Sequence, residues 1–528
     1  MAHSYKLLST DLEIAREKGF EIFEISENWP VSEQEFHKFS DCIRNLYSNT
    51  INNLNNRHIS DIASVEVGFI TQLINIFHYN YARQYCLTNN IDLNIGSESH
   101  LYLNPDWSII EQYYSNLTNI YKPLNGFFRN NAKNIVFNRH LSIYKIVSNF
   151  FIRSNVVGIG SNDRIKQEYI EKNRLFCDNR DGYRFIQKGY QVFLKNEKKY
   201  PLEKIRNYVN DNIIKNFFVE IKKNNPMFIE GLDLELIADV WLQRFLDAYK
   251  IYRGLLLIDI PKVLFVAEVG KPHSKLITLA FQRRGCKVYN FHHGNDSVII
   301  NQKWTYKSLL NHCDNYVVDT QTMQIRFGDL VRNQPDIFNK PINFISTDSD
   351  YYANLRKLTV NGDYNKVMIM GYPMNLARYA DDSYAFYYYK ILLEHKLLST
   401  IKDSGYHVTY KAHPDRLNEV KSIMDDVSDN IIKLPFEDVV EESGILIFTY
   451  VHTTTFCYAL NLPIPIVLVE SPGTPWYQDI RNTLEKRVAI VKTHVSNNEI
   501  IVDNDKLIDA IRVSKNRINL HVAKEITG

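Results

Sequence analysis

Short apolar runs alternate with longer helical patterns from Lys262 onward. Val263–Ala267 is continuously apolar, and the next predicted strands are the shorter apolar stretches within Lys287–Phe291 and Asn315–Asp319. Runs of this length are typical of strands that are buried on both faces of a parallel sheet. The helical pattern between the first two runs ends at Gly285, and glycine commonly terminates helices. The pattern therefore predicts strands joined by right-handed helical crossovers.

A second α/β unit is predicted after the polar segment Asp348–Asp363, which has the composition of a linker. Helical patterns at Ser383–Asp403 and Asn504–Asn519 follow its first strand and its last strand. The division predicted from this pattern is a domain of residues 1–350 and a domain of residues 351–528. The predicted strands of the second unit are Lys366–Met370, His407–Tyr410, Asn430–Leu434, Ile445–Thr449, Ile464–Val469 and Val488–Val491.

Helical patterns dominate the first 260 residues. A helix is predicted over Ser32–Tyr47, where Ser32 and Glu35 have the spacing of a capping box. A long helix or a pair of helices is predicted over Ile59–Asn89, and a returning strand over Ile91–Ile95. These patterns predict a large helical part at the N-terminal end of the chain.

The stretch from about residue 105 to 259 is interpreted as a helical insertion in the first domain, since it has no clear strand pattern. Within it, Asn155–Asp163 contains two glycines, as a fragment of a phosphate loop would. The third glycine of such a loop is missing, so a plain loop between helices is predicted. The basic and aromatic run Phe127–Arg153 is interpreted as a solvated helix in preference to a membrane-binding surface.

Composition narrows the classes of protein to which the chain can belong. Its 528 residues and 62.0 kDa favour two or three domains. A net charge of +2 gives no general attraction for nucleic acid, and no such partner is predicted. The six cysteines form no Cys-x-x-Cys pair, which fits a reducing compartment. With no signal-peptide pattern and no run of ~20 apolar residues, a cytoplasmic location is predicted, with peripheral attachment to the inner face of the membrane left open.

Polar side chains follow several predicted strands, at the edge where open α/β sheets bind ligands. In the second unit they form the runs Lys411-Ala412-His413-Pro414 and His452-Thr453-Thr454-Thr455. Hydroxyl and backbone N–H groups at the start of a helix favour a phosphate. A ligand-binding role is favoured for His413, because it ends a strand directly before a proline. Thr453 is also a natural helix N-cap, and that role is compatible with phosphate binding.

Further candidate site residues lie at or near other strand ends. Glu470 ends a strand and is predicted to accept ribose hydroxyls, with a surface salt bridge as the alternative. Lys411 adds positive charge or is only solvated, and His452 is a second candidate for phosphate contact. Glu268 and His293 follow strands of the first unit, and either is a candidate general base. No Asp-x-Asp pair follows a strand, so no metal site is predicted. No cofactor is predicted either, and the phosphate expected at this edge would belong to a nucleotide sugar that serves as a co-substrate.

The order of these motifs resembles that of GT-B glycosyltransferases over roughly Val263–Lys492. The strand ends carry His292-His293-Gly294, then Gly371-Tyr372-Pro373, and then the two runs of the second unit. In detail they resemble bacterial surface-polysaccharide transferases that use cytidine-activated donors. These comprise sialyltransferases, the Kdo transferases of capsule and lipopolysaccharide assembly, and teichoic-acid glycerophosphate polymerases.

The resemblance implies an α/β fold with two Rossmann-like parallel-sheet domains facing a cleft. It also implies that His413-Pro414 and Thr453-Thr454-Thr455 hold the donor phosphate, that Gly371 belongs to the donor side, and that His293 lies at the cleft. One motif departs from the pattern, because the acidic-acidic-Gly sequence that carries the sialyltransferase base is missing. The only partial matches are Arg180-Asp181-Gly182 and Ile229-Glu230-Gly231, and neither is a convincing counterpart. The general base therefore stays open between Glu268 and His293.

The function expected from this resemblance is metal-independent, inverting glycosyl transfer. The expected donor is a CMP-linked sugar of the Kdo or sialic-acid type, and the expected acceptor is a growing cell-surface glycan or lipid-linked glycan. The alternatives are a CDP-polyol phosphotransferase, a UDP-sugar transferase or epimerase, and an inactive GT-B scaffold in an assembly complex.

Overall fold

The structure is a computed structural model, and it describes the following ranges of the chain. These are 7–9, 29–94, 155–160, 164–267, 272–292, 299–301, 310–333, 341–360, 362–372, 384–413, 423–496 and 499–528.

The N-terminal part is helical, as the sequence predicts. Its first helix begins with the predicted capping box, in which Ser32 Oγ accepts from the N–H of Glu35 at 3.2 Å and the Glu35 carboxylate accepts from the N–H of Ser32 at 2.8 Å. The next two helices are the predicted pair, and the predicted strand after them pairs in parallel with β1. The elements are β1 (Leu7–Ser9), α1 (Glu33–Asn52), α2 (Arg57–Val65), α3 (Val67–Asn89) and β2 (Asp92–Asn94).

The first α/β unit is a six-stranded parallel sheet with the strand order β4-β3-β5-β6-β7-β8. In chain order this is 2-1-3-4-5-6, so the winding direction reverses between β3 and β5. Its elements are β3 (Val156–Gly160), α4 (Arg164–Lys172), β4 (Asp178–Asn179), α5 (Gly182–Asn196), α6 (Leu202–Val209), α7 (Lys215–Asn224), α8 (Leu234–Leu255), β5 (Val263–Ala267), α9 (Pro272–Gln282), β6 (Lys287–Phe291), β7 (Asn315–Val318), α10 (Gln321–Asn333) and β8 (Asn343–Ser346).

The prediction of a plain loop at Asn155–Asp163 is wrong, because β3 is an internal strand of this sheet. Its glycines weaken the strand pattern, yet the packing requires them. A Cβ on Gly158 would lie 2.3 Å from Asn179 Oδ1. Gly160 has φ +86°, and a Cβ there would lie 2.8 Å from the carbonyl oxygen of Ala267. Within the described part of the predicted insertion, the strands β3 and β4 therefore lie among the helices α4–α8, and residues 105–154, including the run Phe127–Arg153, are outside the described residues.

The second α/β unit is a parallel sheet with the order β11-β10-β9-β12-β13-β14. In chain order this is 3-2-1-4-5-6, the order of dinucleotide-binding folds, and it reverses between β9 and β12. Its elements are α11 (Tyr351–Leu355), β9 (Lys366–Met370), α12 (Tyr384–Asp403), β10 (His407–Lys411), β11 (Asn430–Ile432), α13 (Phe436–Val439), β12 (Ile445–Phe448), α14 (Thr454–Leu460), β13 (Ile466–Glu470), α15 (Gln478–Leu484), β14 (Ala489–Lys492), β15 (His494–Ser496), β16 (Glu499–Ile501), α16 (Asn504–Ser514) and α17 (Leu520–Thr527).

Two six-stranded parallel sheets with a helical N-terminal region form a GT-B-like architecture, which confirms the predicted fold class. Each strand predicted in the second unit is present, with small shifts of its ends. The hairpin β15–β16 and the final helix α17 are additions that the sequence analysis did not predict.

Contacts between the two units come from several elements. Ile300 forms an antiparallel bridge with Trp476, and the N–H of Asn301 donates to the carbonyl of Pro475 at 2.7 Å. Helix α17 also meets the first unit, because the hydroxyl of Thr320 donates to the carbonyl of Thr527 at 2.6 Å. The segment that follows β13 is therefore joined directly to the first unit.

Trp29 connects the helical N-terminal part to the second unit. Its indole Nε1 donates to Nε2 of His78 at 2.9 Å, and its backbone N–H donates to the hydroxyl of Tyr389 on α12 at 3.3 Å. Trp29 and His78 are both buried. The His78 Nε2 atom can accept this bond only when it carries no proton, and burial lowers the pKa of His78 from 6.5 to about 3.

A fall in pH should lower the free energy of unfolding, because His78 is held neutral in the folded protein. Between pH 6.5 and about 3, the unfolded chain binds a proton that folded His78 excludes. The contribution of neutral His78 to the free energy of unfolding is therefore complete above pH 6.5 and is lost as the pH falls. The limiting slope for one such group is about 1.4 kcal/mol per pH unit. Urea unfolding at pH 7 and pH 5 measures the effect. We expect the free energy of unfolding to fall less between these pH values in His78→Gln than in the wild type. Equal losses in the two proteins would contradict this prediction.

Within the described ranges, no single helix is long and apolar enough to cross a membrane. The pair α2–α3 meets the length and composition criteria only when its two helices are taken together, and it is bent by 53°.

Candidate functional site

The carboxyl ends of β10, β9 and β12 meet at the point where the second sheet reverses its winding. Lys411 on β10 pairs with Met370 on β9, and Met370 pairs with Phe448 on β12, so the three strands end at the same level. We call the segments 371–372, 411–413 and 449–455 at these ends the switch-point edge. It brings together most of the residues that the sequence analysis assigned to donor binding.

Gly371 is tightly enclosed at this edge. Its N–H donates to the carbonyl of Lys411 at 2.9 Å, and its own carbonyl accepts from the hydroxyl of Tyr450 at 3.0 Å. A Cβ on Gly371 would lie 2.5 Å from the hydroxyl oxygen of Tyr410 and 3.0 Å from the carbonyl oxygen of Lys411. Only glycine fits here without displacing a neighbour.

Gly371→Ala should therefore disturb both folding and binding at the switch-point edge. Tyr410 is fully buried and its hydroxyl donates to Glu394, so the ring cannot easily move away from a new methyl group. We expect a loss of about 1–3 kcal/mol in the free energy of unfolding and, by displacement of the edge, weaker nucleotide binding. The matched control is Gly68→Ala on α3, where a Cβ meets nothing within 4 Å. Nucleotide titration and urea unfolding measure both effects, and two indistinguishable variants would contradict the account.

The end of β10 supplies two of the predicted cationic or hydrogen-bonding groups. Lys411 is buried, and its ammonium group donates to the carbonyl of Ala412 at 2.8 Å. Burial lowers the pKa of Lys411, and the nearby Glu437 opposes that shift. His413 is half-buried at the next strand-end position. The interpretation of Lys411 as a merely solvated side chain is wrong, because the side chain is enclosed.

The helix after β12 begins as predicted. Thr453 is the N-cap of α14, and its hydroxyl accepts a hydrogen bond from the N–H of Thr455 at 3.3 Å. Thr454 is exposed, whereas Thr453 and Thr455 are half-buried, as is His452. The start of α14 thus presents hydroxyl groups and backbone N–H groups at the switch-point edge.

The opposite end of α14 is held by Arg487, which the sequence analysis did not single out. This side chain is completely buried. It donates to the carbonyls of Leu460 at 3.1 Å, Leu462 at 2.7 Å and Ile464 at 2.9 Å, with a longer bond of 3.4 Å to Ala459. A cation at the C-terminal end of a helix interacts favourably with its dipole, so Arg487 fixes the helix whose other end lies at the edge.

Glu470 extends the candidate site to β13, the strand next to β12. Its carboxylate forms a bidentate ion pair with Arg481, at 2.6 Å and 2.7 Å. The guanidinium group of Arg481 also lies over the ring of Trp476, 5.6 Å from its centroid. The salt bridge that the sequence analysis gave as the alternative to ribose binding is therefore present. The side chains of Glu470 and Arg481 are both largely shielded from solvent.

Three predicted site residues lie outside the described residues: Glu268, His293 and Pro414. By sequence, Glu268 follows β5 and His293 follows His292 after β6. His292 itself is buried, with Nδ1 2.6 Å from the hydroxyl of Tyr316. His273 is buried against the ring of Tyr183, with centroids 4.6 Å apart. These contacts favour a structural role for both histidines.

The described ranges contain no group of three or more His, Cys, Asp or Glu side chains arranged to hold a metal ion. The polar groups that converge at the switch-point edge are hydroxyls, backbone N–H groups, an imidazole and an ammonium group. Such groups bind anions by hydrogen bonds and charge.

Comparisons with known proteins give only distant likenesses. No protein-family profile matches the chain, and no curated protein matches it. Among solved structures, UDP-N-acetylglucosamine 2-epimerase from Rickettsia bellii is 14% identical, with a TM-score of 0.31, over 53% of this chain and 76% of that protein. A variant of Os79 from O. sativa, in complex with UDP, is 10% identical, with a TM-score of 0.34, over 55% of this chain and 78% of that protein. Likenesses this distant identify no family and support no argument about function.

Proposed function

We propose that the protein is a glycosyltransferase that binds a nucleotide-activated sugar at the switch-point edge. The observation that carries the proposal is the convergence of Gly371, Lys411, His413 and the start of α14 where the sheet order 3-2-1-4-5-6 reverses. Open α/β sheets bind nucleotides at that point. Fold alone does not determine function, so the proposal depends on the residues at the edge.

The groups at the edge suit the phosphate of a leaving nucleotide. In glycosyl transfer, negative charge develops on that phosphate as the bond to the sugar breaks. The Thr453 hydroxyl, the backbone N–H groups at the start of α14 and His413 are the proposed hydrogen-bond donors, and Lys411 at the end of β10 adds an ammonium group. We propose that these groups stabilise the departing phosphate without a metal ion.

The deprotonation of the acceptor hydroxyl is assigned to the first unit. In the sequence, Glu268 directly follows β5 and His293 comes two residues after β6, and β5 and β6 are neighbouring strands of the first sheet. Either residue has the chemistry of a general base, and the second would orient the acceptor or the donor.

The finer identity of the substrates follows the resemblance of the motifs. The proposed donor is a CMP-linked acidic sugar of the Kdo or sialic-acid type, and the proposed acceptor is a cell-surface glycan or a lipid-linked glycan. The reaction would run in the cytoplasm or at the inner face of the membrane, with inversion at the anomeric carbon and with no cofactor besides the nucleotide sugar.

Calorimetric titration with CMP, CDP, UMP and UDP tests the proposal, first without metal and then with magnesium. We expect metal-free binding of CMP that is tighter than the binding of UMP or UDP. Preference for CDP would favour a polyol-phosphate transferase, and preference for UDP would favour a UDP-sugar enzyme. Absence of binding for all four nucleotides would contradict the transferase and favour an inactive scaffold.

A further inference from the structure

A buried carboxylate lies directly beneath the switch-point edge. Glu394 belongs to α12, and its side chain is completely buried. One carboxylate oxygen accepts from the backbone N–H of Tyr372 at 2.5 Å, and the other accepts from the hydroxyl of Tyr410 at 2.7 Å. The hydroxyl of Thr449 makes a longer contact, at 3.5 Å, with the first of these oxygens.

The three donors come from the three strand ends that form the edge. Tyr372 follows β9, Tyr410 is the penultimate residue of β10, and Thr449 follows β12. A single side chain therefore contacts β10 just before its end and the segments that directly follow β9 and β12. Because these segments are far apart in sequence, their relative positions depend on such cross-connections.

The choice of a carboxylate at this position has a physical reason. Burying an ionised carboxylate costs several kcal/mol before its partners are counted, and an apolar residue would pack on the same helix face without that cost. A carboxylate is the side chain that only accepts hydrogen bonds when ionised, so it holds several inward-pointing donors at once. One turn earlier on α12, the Lys390 ammonium group donates to the hydroxyl of Tyr372 at 3.0 Å. Helix α12 thus holds both the backbone and the side chain of Tyr372.

We infer that Glu394 is a positioning residue that sets the geometry of the switch-point edge for nucleotide binding. The inference rests on the proposed function of this edge. Glu394 acts through Tyr372, Tyr410 and Thr449 and makes no contact with substrate.

Glu394→Gln tests the inference, because it keeps the size of the side chain and turns one acceptor into a donor. We expect the Kd of the nucleotide that the wild type binds most tightly to rise about tenfold, which corresponds to about 1.4 kcal/mol. The control is Glu66→Gln, which alters another buried acid, hydrogen-bonded to Arg244 at 2.5 Å in the helical part. The control should lower the melting temperature and leave the Kd unchanged. A folded Glu394→Gln protein with the wild-type Kd would overturn the inference.

Hydrogen exchange without nucleotide separates this inference from the proposed function. Glu394→Gln should speed amide exchange in 371–372, 411–413 and 449–455, and Glu66→Gln should not. If the wild type binds no nucleotide, the proposed function fails, and the exchange data alone decide the role of Glu394. Wild-type exchange rates at all three segments would refute that role. Should Glu394→Gln not fold, Tyr410→Phe, which removes one of the three donors, is expected to give a smaller effect in the same direction.

Discussion

Arg487→Met is expected to destabilise the second unit more than Gly371→Ala does. The change removes the buried donors to the carbonyls of Leu460 and Ile464, whereas the carbonyl of Leu462 keeps the hydrogen bond from the N–H of Ile464. Each buried acceptor left without a partner costs about 1–3 kcal/mol. We expect a total loss of about 3–5 kcal/mol in the free energy of unfolding, similar to that of a broken buried charged network.

Urea unfolding followed by circular dichroism measures this loss. The matched control is Arg512→Met on α16, because Arg512 is exposed and its ion pair among the described residues is with Asp509, one turn away. Surface pairs of this kind contribute about 0–1 kcal/mol, so the control should unfold close to the wild type. Equal midpoints for the two variants would show that Arg487 does not hold the end of α14.

His413→Ala is expected to reduce turnover strongly, with a smaller effect on substrate binding. His413 comes two residues after the end of β10, at the switch-point edge where we propose that the departing phosphate binds. Removing one donor from a developing anion costs about 10²–10³-fold in kcat. Release of free nucleotide from the donor sugar measures this rate.

The control for His413 lies at the other end of the same strand. His407 begins β10, is exposed, and lies 3.3 Å from Asp429. His407→Ala should turn over at close to the wild-type rate, because its side chain is at the amino edge of the sheet. A His413→Ala protein that is folded and fully active would remove His413 from the site.

Strands β5–β7 of the first sheet and the strands of the second sheet could be predicted from the sequence, because parallel sheets are buried on both faces. Continuous apolar runs are visible in the sequence without any knowledge of the neighbouring strands. Such runs are Val263–Ala267, Ile445–Phe448 and Ile466–Val469. The motifs at their carboxyl ends could also be located, because the end of a strand is visible in the pattern. The candidate donor residues of the second unit were found in this way.

Features that depend on distant partners could not be predicted. β3 was not predicted because Gly158 and Gly160 are residue types that are common in loops. The side chain of Asn179 packs against Gly158 and the backbone of Ala267 packs against Gly160, and both partners are remote in sequence. Glu394 lies in an ordinary helical pattern, and its partners come from three other segments. Arg487 likewise resembles any surface arginine until the end of α14 is placed against it. Long-range hydrogen bonding leaves no local pattern in the sequence.

A crystal structure of the protein with the nucleotide that binds most tightly tests the central claim most directly. The account predicts that the phosphate lies within hydrogen-bond distance of His413 and of the N–H groups of Thr454 or Thr455, with Gly371 beside it. A nucleotide found at the carboxyl edge of the first sheet, or remote from both sheets, would contradict the account.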